Sequence, residues 1–157
     1  MSSSTPVRPS TQDAVRLLQI ITVALIAGVL TFGTVVVVLL GALNNAPQGE
    51  LLSLVGAAFA VTAFVMHLVV PELIVRQTVP NLKDDPGGLT RLFVTKTIVA
   101  SALLEGAAMF NLVALMQEHN WWSLLIVGGL VLWMASQIPT TTRVHHWLET
   151  KEMEMRG

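Results

Sequence analysis

Residues 17–43 decide the fold: they read LLQIITVALIAGVLTFGTVVVVLLGAL and contain no charged side chain. This run exceeds the roughly 20 apolar residues that a helix needs to cross the hydrocarbon core of a bilayer. It is also longer than the apolar core of a signal peptide, which has about 7–15 residues. The valines at 35–38 would favour a strand in water, but a lone strand in lipid leaves its backbone groups unpaired. We therefore predict a retained transmembrane helix.

Three further apolar runs follow, at about 51–75, 92–116 and 121–139. The chain is 53% hydrophobic and only 12% charged, with a mean hydropathy of +0.67, whereas a soluble domain has about 25% charged residues. The sequence predicts an all-α integral membrane four-helix bundle with up-down-up-down topology at residues 11–142. A disordered tail at 1–10 and a helical tail at 143–157 flank this bundle.

Basic residues mark the orientation. They precede the first span, follow the fourth span, or lie in or beside the connector between the second and third spans, and the other two turns have none. Because basic residues favour the cytoplasmic side, we expect both termini in the cytoplasm and the bundle in a bacterial plasma membrane. The residues are Arg8, Arg16, Arg76, Lys83, Arg91, Lys96, Arg143, Lys151 and Arg156.

Several classes of function lack support in the sequence. The net charge of -1 and the absence of a basic stripe argue against a nucleic-acid partner. The chain has no cysteine for a thiolate metal site. His145, His146 and Glu149 lie on the C-terminal tail, where a solvated helix is a better interpretation than a metal site. We expect no metal, no cofactor and no enzymatic activity.

Glu105 is the most unusual residue, because it lies near the centre of the third span. An acid at that depth costs about 2.5–3.5 kcal/mol on insertion scales and usually faces a partner or a water pocket. Thr97, Ser101, Glu105 and Ala108 fall on one small and polar stripe of the helix. Two interpretations stay open: a proton or ion site, and a protonated acid that hydrogen-bonds across the bundle.

His67 lies at similar depth in the second span, on a face that it shares with Gly56, Ala60 and Ala63. If the second and third spans are antiparallel neighbours, His67 and Glu105 differ by roughly 6 Å in depth. A His–Glu proton relay is one interpretation. The other is a neutral histidine bonded to a backbone carbonyl or to a hydroxyl such as Thr97 or Ser101.

Two further sets of residues have structural interpretations. Glu72 and Lys96 lie at similar predicted depth, and we expect an ion pair between them. Small residues at helical spacing predict close helix contacts, and Asn111 and Gln137 are candidate amide partners between helices. The small residues are Ala24, Gly28, Gly56, Ala60 and Gly106.

Residues 103–115, LLEGAAMFNLVAL, resemble the carboxylate helix of rotary ATPase c-ring proteolipids. This resemblance implies that Glu105 binds an ion and that the partner is a ring of identical subunits. It covers only this run. The first span lacks the dense glycine repeat of that family, and the connector with Pro80 and Asp84 is unlike its short polar loop. The family is therefore not assigned.

Two functions remain open at this point. The first is a non-enzymatic accessory or interaction bundle that self-associates or joins a larger membrane complex. The second is a proton- or ion-coupled component (a channel, a transporter or a c-ring-like proteolipid) that uses Glu105 with His67. In both cases the lipid bilayer is the surrounding medium.

Overall fold

The computed structural model describes residues 11–82 and 87–156. The predicted tail at 1–10 lies outside these residues, as do Arg8, Lys83 and Asp84. Within the described ranges the chain forms helices and turns and no strand, so the predicted all-α class is confirmed. The helices are α1 (Thr11–Thr34), α2 (Leu51–Thr78), α3 (Gly88–Glu118), α4 (Trp122–Ser136) and α5 (Thr141–Arg156).

The valine run continues α1 as a π-helical turn, Val35–Leu39. The Leu40 N–H donates to the Val35 carbonyl at 3.0 Å, so the wide turn satisfies its backbone groups internally, as lipid requires. Gly41 then adopts a positive φ of 62° and ends the helix. A residue without a Cβ suits that left-handed conformation.

Three helices are long and apolar enough to cross a membrane, and a bent pair adds up to one more. α1 with its π-turn has 29 residues, α2 has 28 and α3 has 31. α4 has only 15 residues, which is shorter than the roughly 20 that a straight crossing needs. The chain bends by 70° between α4 and α5.

The bend corrects the predicted fourth span, which was expected to continue to residue 139. Proline has no backbone N–H, so Pro139 cannot continue the hydrogen-bond ladder of α4. The Pro139 carbonyl accepts a hydrogen bond from Gln19 Nε2 at 2.8 Å. The predicted connector is also shorter than expected, because α2 continues to Thr78 and α3 already begins at Gly88.

α3 is the central helix, because it packs against α1, α2 and α4. Glu118 at the end of α3 bonds to Leu52 at the start of α2, and Asn111 bonds to Gly56, so α2 and α3 run antiparallel. Gly33 lies beside Leu112, as Gly28 lies beside Glu105, so α1 runs parallel to α3. α1 and α2 follow one another in the chain but share almost no contact.

The bundle has two ends. The apical end carries the turn at 40–50 and the turn at 119–121, and the basal end carries Thr11, Thr78, Gly88 and helix α5. The α5 helix packs its apolar side onto the basal parts of α1 and α3. This small basal core consists of Val15, Leu18, Phe93 and Val144, with Trp147 and Leu148 at its edge.

Candidate functional site

Glu105 lies near the middle of α3 and faces α1. A Cβ added to Gly28 would lie 4.0 Å from Glu105 Oε1, so the carboxylate sits beside the bare backbone of α1. The side chain is half-buried. No hydrogen bond or ion pair joins its carboxylate to another residue of the described ranges. The most costly polar group of the third span is therefore left without a partner in the described part of one copy.

The expected contact between Glu105 and His67 is not made, and helix geometry explains why. Each residue advances about 100° around an α-helix, so Glu105 lies about 120° from Asn111, the side chain that bonds α2. A stripe with a spacing of four residues also drifts by about 40° at each step. Thr97 and Ser101 thus remain near α2, whereas Glu105 turns towards α1.

Both nitrogens of His67 are already engaged. Its Nδ1 lies 3.0 Å from the Ala100 carbonyl, and Trp133 Nε1 donates to its Nε2 at 3.2 Å. Because an indole nitrogen only donates, Nε2 is the acceptor and the ring proton sits on Nδ1. A second ring proton on Nε2 would point at the indole N–H. His67 is therefore bonded to a backbone carbonyl of α3 and not to Glu105, which was the structural interpretation of the sequence.

A cavity of about 230 Å³ lies where α2 and α3 meet the break between α4 and α5. We call it the basal cavity. His67, Thr97 and Ser101 line it together, so three of the four predicted site residues share one space, and Glu105 is the exception. No motif or spacing in the sequence predicted that the α4–α5 residues would line this space. The other lining residues are Pro71, Phe93, Lys96, Ala100, Gln137, Pro139, Arg143 and Trp147.

Glu72 and Lys96 do not form the predicted ion pair. Glu72 Oε1 instead lies 3.6 Å from Arg76 Nε, one turn further along α2, with both side chains exposed. Lys96 Nζ lies 4.0 Å from the ring centroid of Trp147 and 4.9 Å from that of Phe93. The α5 helix brings Trp147 to Lys96, so cation–π contact replaces the expected carboxylate.

The predicted packing residues divide into two groups. Gly56 and Ala60 are buried at the α2–α3 contact. A Cβ on Gly56 would lie 2.8 Å from Asn111 Oδ1. Ala24 is exposed, and Gly106 is exposed with no heavy atom within 4 Å of an added Cβ. These two small residues therefore lie on the outside of a single copy.

Glu118 is a buried acid that the sequence analysis missed. Its carboxylate accepts hydrogen bonds from the Leu52 and Ser53 N–H groups at 2.7 and 2.8 Å, and so caps the first turn of α2. Asn120 Nδ2 donates to the Gly49 carbonyl and to Ser53 Oγ. This apical clasp, formed by Gly49, Ser53, Glu118 and Asn120, is structural. One signal in the sequence could have predicted this contact. Glu118 lies at the end of one span, next to the start of a neighbouring span that has no capping side chain of its own.

The described residues contain no group of three or more histidine, cysteine or acidic side chains that could hold a metal ion. His145, His146 and Glu149 are exposed on α5. His146 Nδ1 lies 3.3 Å from Thr150 Oγ1, one turn further along that helix.

Comparison of the chain with protein-family models, with characterised proteins and with solved structures gives no match. The placement of Glu105, His67 and the basal cavity is therefore the basis for the functional proposals that follow.

Proposed function

We propose that this protein is a non-enzymatic membrane bundle that associates with a second membrane segment, either another copy or a larger partner, through the face that carries Glu105. This Glu105 face consists of Glu105 and the exposed small residues Ala24, Ala102 and Gly106. The observation that carries the proposal is the half-buried Glu105 carboxyl group, which has no partner in the described part of one copy.

Energetics support a partner for this carboxyl group. An acid at mid-membrane depth costs about 2.5–3.5 kcal/mol on insertion scales, and a hydrogen bond from a neighbouring helix offsets part of that cost. Small residues on both sides of Glu105 let a second backbone approach closely. The apical clasp and the His67 contacts, by contrast, are already satisfied within one copy.

Cross-linking tests the association directly, because the chain contains no cysteine. Gly106→Cys in lipid vesicles should form a disulfide-linked dimer on mild oxidation. The matched control is Leu125→Cys, an exposed position on α4, which should remain monomeric. A partner other than a second copy predicts no dimer from purified protein but cross-links in native membranes. Equal yields from both cysteines would argue against a specific face.

Substitution of Glu105 separates association from folding. Glu105→Leu should abolish the Gly106→Cys dimer and leave thermal stability in detergent unchanged, because the side chain has no partner within the described bundle. Glu105→Gln keeps hydrogen-bonding capacity and should retain the dimer. If Glu105→Leu unfolds the bundle, the residue is internal packing and the proposal is wrong.

The ion-coupled alternative depends on the same unpartnered carboxyl group. It predicts a flux driven by a pH gradient in liposomes that Glu105→Gln abolishes. His67 no longer supports this alternative, because both of its ring nitrogens are bonded away from Glu105. A parent protein without flux would remove the alternative and leave the association proposal intact.

The proposed topology has four crossings, up-down-up-down, with the basal end in the cytoplasm of a bacterial cell. The basic side chains of the described residues support this orientation, because Arg16, Arg76, Arg91 and Arg143 all lie towards the basal end. Single cysteines test it: Asn45→Cys at the apical turn should react with a membrane-impermeant maleimide on intact cells, and His145→Cys should react only after lysis. The opposite pattern would invert the orientation.

A further inference from the structure

We propose that the basal cavity binds the phosphate of an anionic lipid headgroup through Lys96 and Arg143. Both cations line the cavity together with Gln137 and Trp147. Its volume of about 230 Å³ is well above the roughly 30 Å³ that one water occupies in the liquid. This inference is independent of the Glu105 face, which lies towards α1.

The two cations have unused hydrogen-bond donors. Lys96 Nζ contacts the Trp147 and Phe93 rings, and no hydrogen bond or ion pair joins it to another described residue. Arg143 makes one long side-chain contact, from its Nη1 to Gln137 Oε1 at 3.5 Å. A guanidinium has five N–H donors and an ammonium has three, so both can donate to phosphate oxygens.

The local charge also favours an anion. No carboxylate is among the residues that line the cavity in the described ranges. Glu72 is near enough for its charge to act on Lys96, but it is paired with Arg76. Lys151 adds a further positive charge near Lys96. Arginine and lysine near an interface are the side chains that anionic lipid headgroups attract.

The depth of the basal cavity in the membrane favours a lipid phosphate over a free phosphate ion as its ligand. α4 starts at Trp122, beside the exposed Trp121, and tryptophan is enriched at membrane–water interfaces. The 15 residues of α4 then cover about 22 Å before the break. α4 alone stops short of the roughly 30 Å hydrocarbon core, but Lys96 lies 22 residues before Glu118 along α3, or about 33 Å from the apical end. The end of the basal cavity that carries Lys96 therefore lies close to the level of the opposite headgroups. Trp147 at its edge fits the same level.

Lipid-dependent stability tests the site. Delipidated protein in detergent should show a higher melting temperature with added phosphatidylglycerol than with phosphatidylcholine of the same acyl chains. Native mass spectrometry should show retained phosphatidylglycerol. Lys96→Gln and Arg143→Gln should each weaken retention by about tenfold or more, the loss expected for one charge-assisted hydrogen bond. Arg16→Gln, which removes a basal charge outside the cavity, is the matched control and should have no effect.

The conservative variant Lys96→Arg keeps the charge and should retain the lipid, which separates binding from folding if Lys96→Gln is unstable. Three outcomes would overturn the proposal. Phosphatidylcholine could stabilise the protein as well as phosphatidylglycerol. The two glutamine variants could retain lipid as well as the Arg16→Gln control does. Inorganic phosphate at millimolar concentration could stabilise the protein as well as the lipid does, which would remove the lipid assignment.

Discussion

Gly56→Ala should weaken the central α2–α3 contact, because the added methyl group has no room. Its Cβ would lie 2.8 Å from Asn111 Oδ1 and 3.3 Å from Asn111 Cγ. Asn111 is completely buried and donates to the Gly56 carbonyl at 3.0 Å and to the Ala107 carbonyl at 2.8 Å. The amide cannot retreat without giving up the bond that joins the two helices.

The magnitude follows from three terms. Overpacking costs about 1–3 kcal/mol, and loss of an interhelical hydrogen bond in a membrane protein costs about 0.6 kcal/mol. Replacement of a helical glycine by alanine returns about 1 kcal/mol. The net loss of unfolding free energy is therefore about 0.6–2.6 kcal/mol on these values. The assay is reversible unfolding in mixed micelles by added SDS, followed by helical circular dichroism.

Gly129→Ala is the matched control, because no heavy atom lies within 4 Å of an added Cβ there. It should be as stable as the parent protein or more stable. A double variant with Asn111→Ala removes the obstructing amide, so its loss should be smaller than the sum of the two single losses. The reasoning fails if Gly56→Ala matches Gly129→Ala, or if the double variant shows strictly additive losses.

Three further predictions concern the polar side chains. Glu118→Gln should lower the melting temperature, because it removes the charge that caps α2, whereas Glu149→Gln at an exposed position of α5 should not; equal melting temperatures would contradict the clasp. Trp133→Phe should leave His67 Nε2 without its donor and shift the Nε2 resonance in ¹⁵N NMR, and an unchanged resonance would show that the hydrogen bond is absent in solution. Glu105→Leu should leave the melting temperature of detergent-solubilised monomer unchanged, and a large decrease would place the carboxyl group inside the fold.

Apolar runs were enough to predict the long helices, because in lipid the backbone must satisfy its own hydrogen bonds. Even the valines at 35–38, which favour strands in water, stay helical for that reason, although as a π-turn. The bend after Ser136 was harder to place. Pro139 signals an interruption, but hydropathy alone continues the span through it. In the structure the last carbonyls of α4 accept from the Gln137 and Ile138 N–H groups, and the Pro139 carbonyl accepts from Gln19 Nε2.

The candidate site was predicted less well, because it depends on the rotation of each helix about its axis. The sequence predicted that Glu105 and His67 lie at similar depth and face each other, whereas in the structure Glu105 lies beside Gly28 of α1 and His67 bonds the Ala100 carbonyl. Around α3, Glu105 lies about 120° from Asn111, the residue that bonds α2, and this angle places Glu105 out of reach of His67. The rotation of α3 about its axis depends on which helices surround it. The prediction also treated successive spans as neighbours in the bundle, whereas α1 packs against α3 and hardly contacts α2.

The polar groups of the bundle can be sorted by whether the fold satisfies them, and this sorting separates structure from function. Burial of a polar group is tolerable when its hydrogen bonds are made internally, as for Asn111 Nδ2, Glu118 and His67. Asn111 Oδ1 is the exception among them, because it is buried without a hydrogen-bond partner in the described residues. Removing a partner of any of these should loosen the fold. Glu105 and Lys96 have no such hydrogen bonds in the described residues, and the Lys96 ammonium contacts only the Trp147 and Phe93 rings. We expect their polarity to act through an interaction outside a single copy, as proposed for the Glu105 face and for the basal cavity.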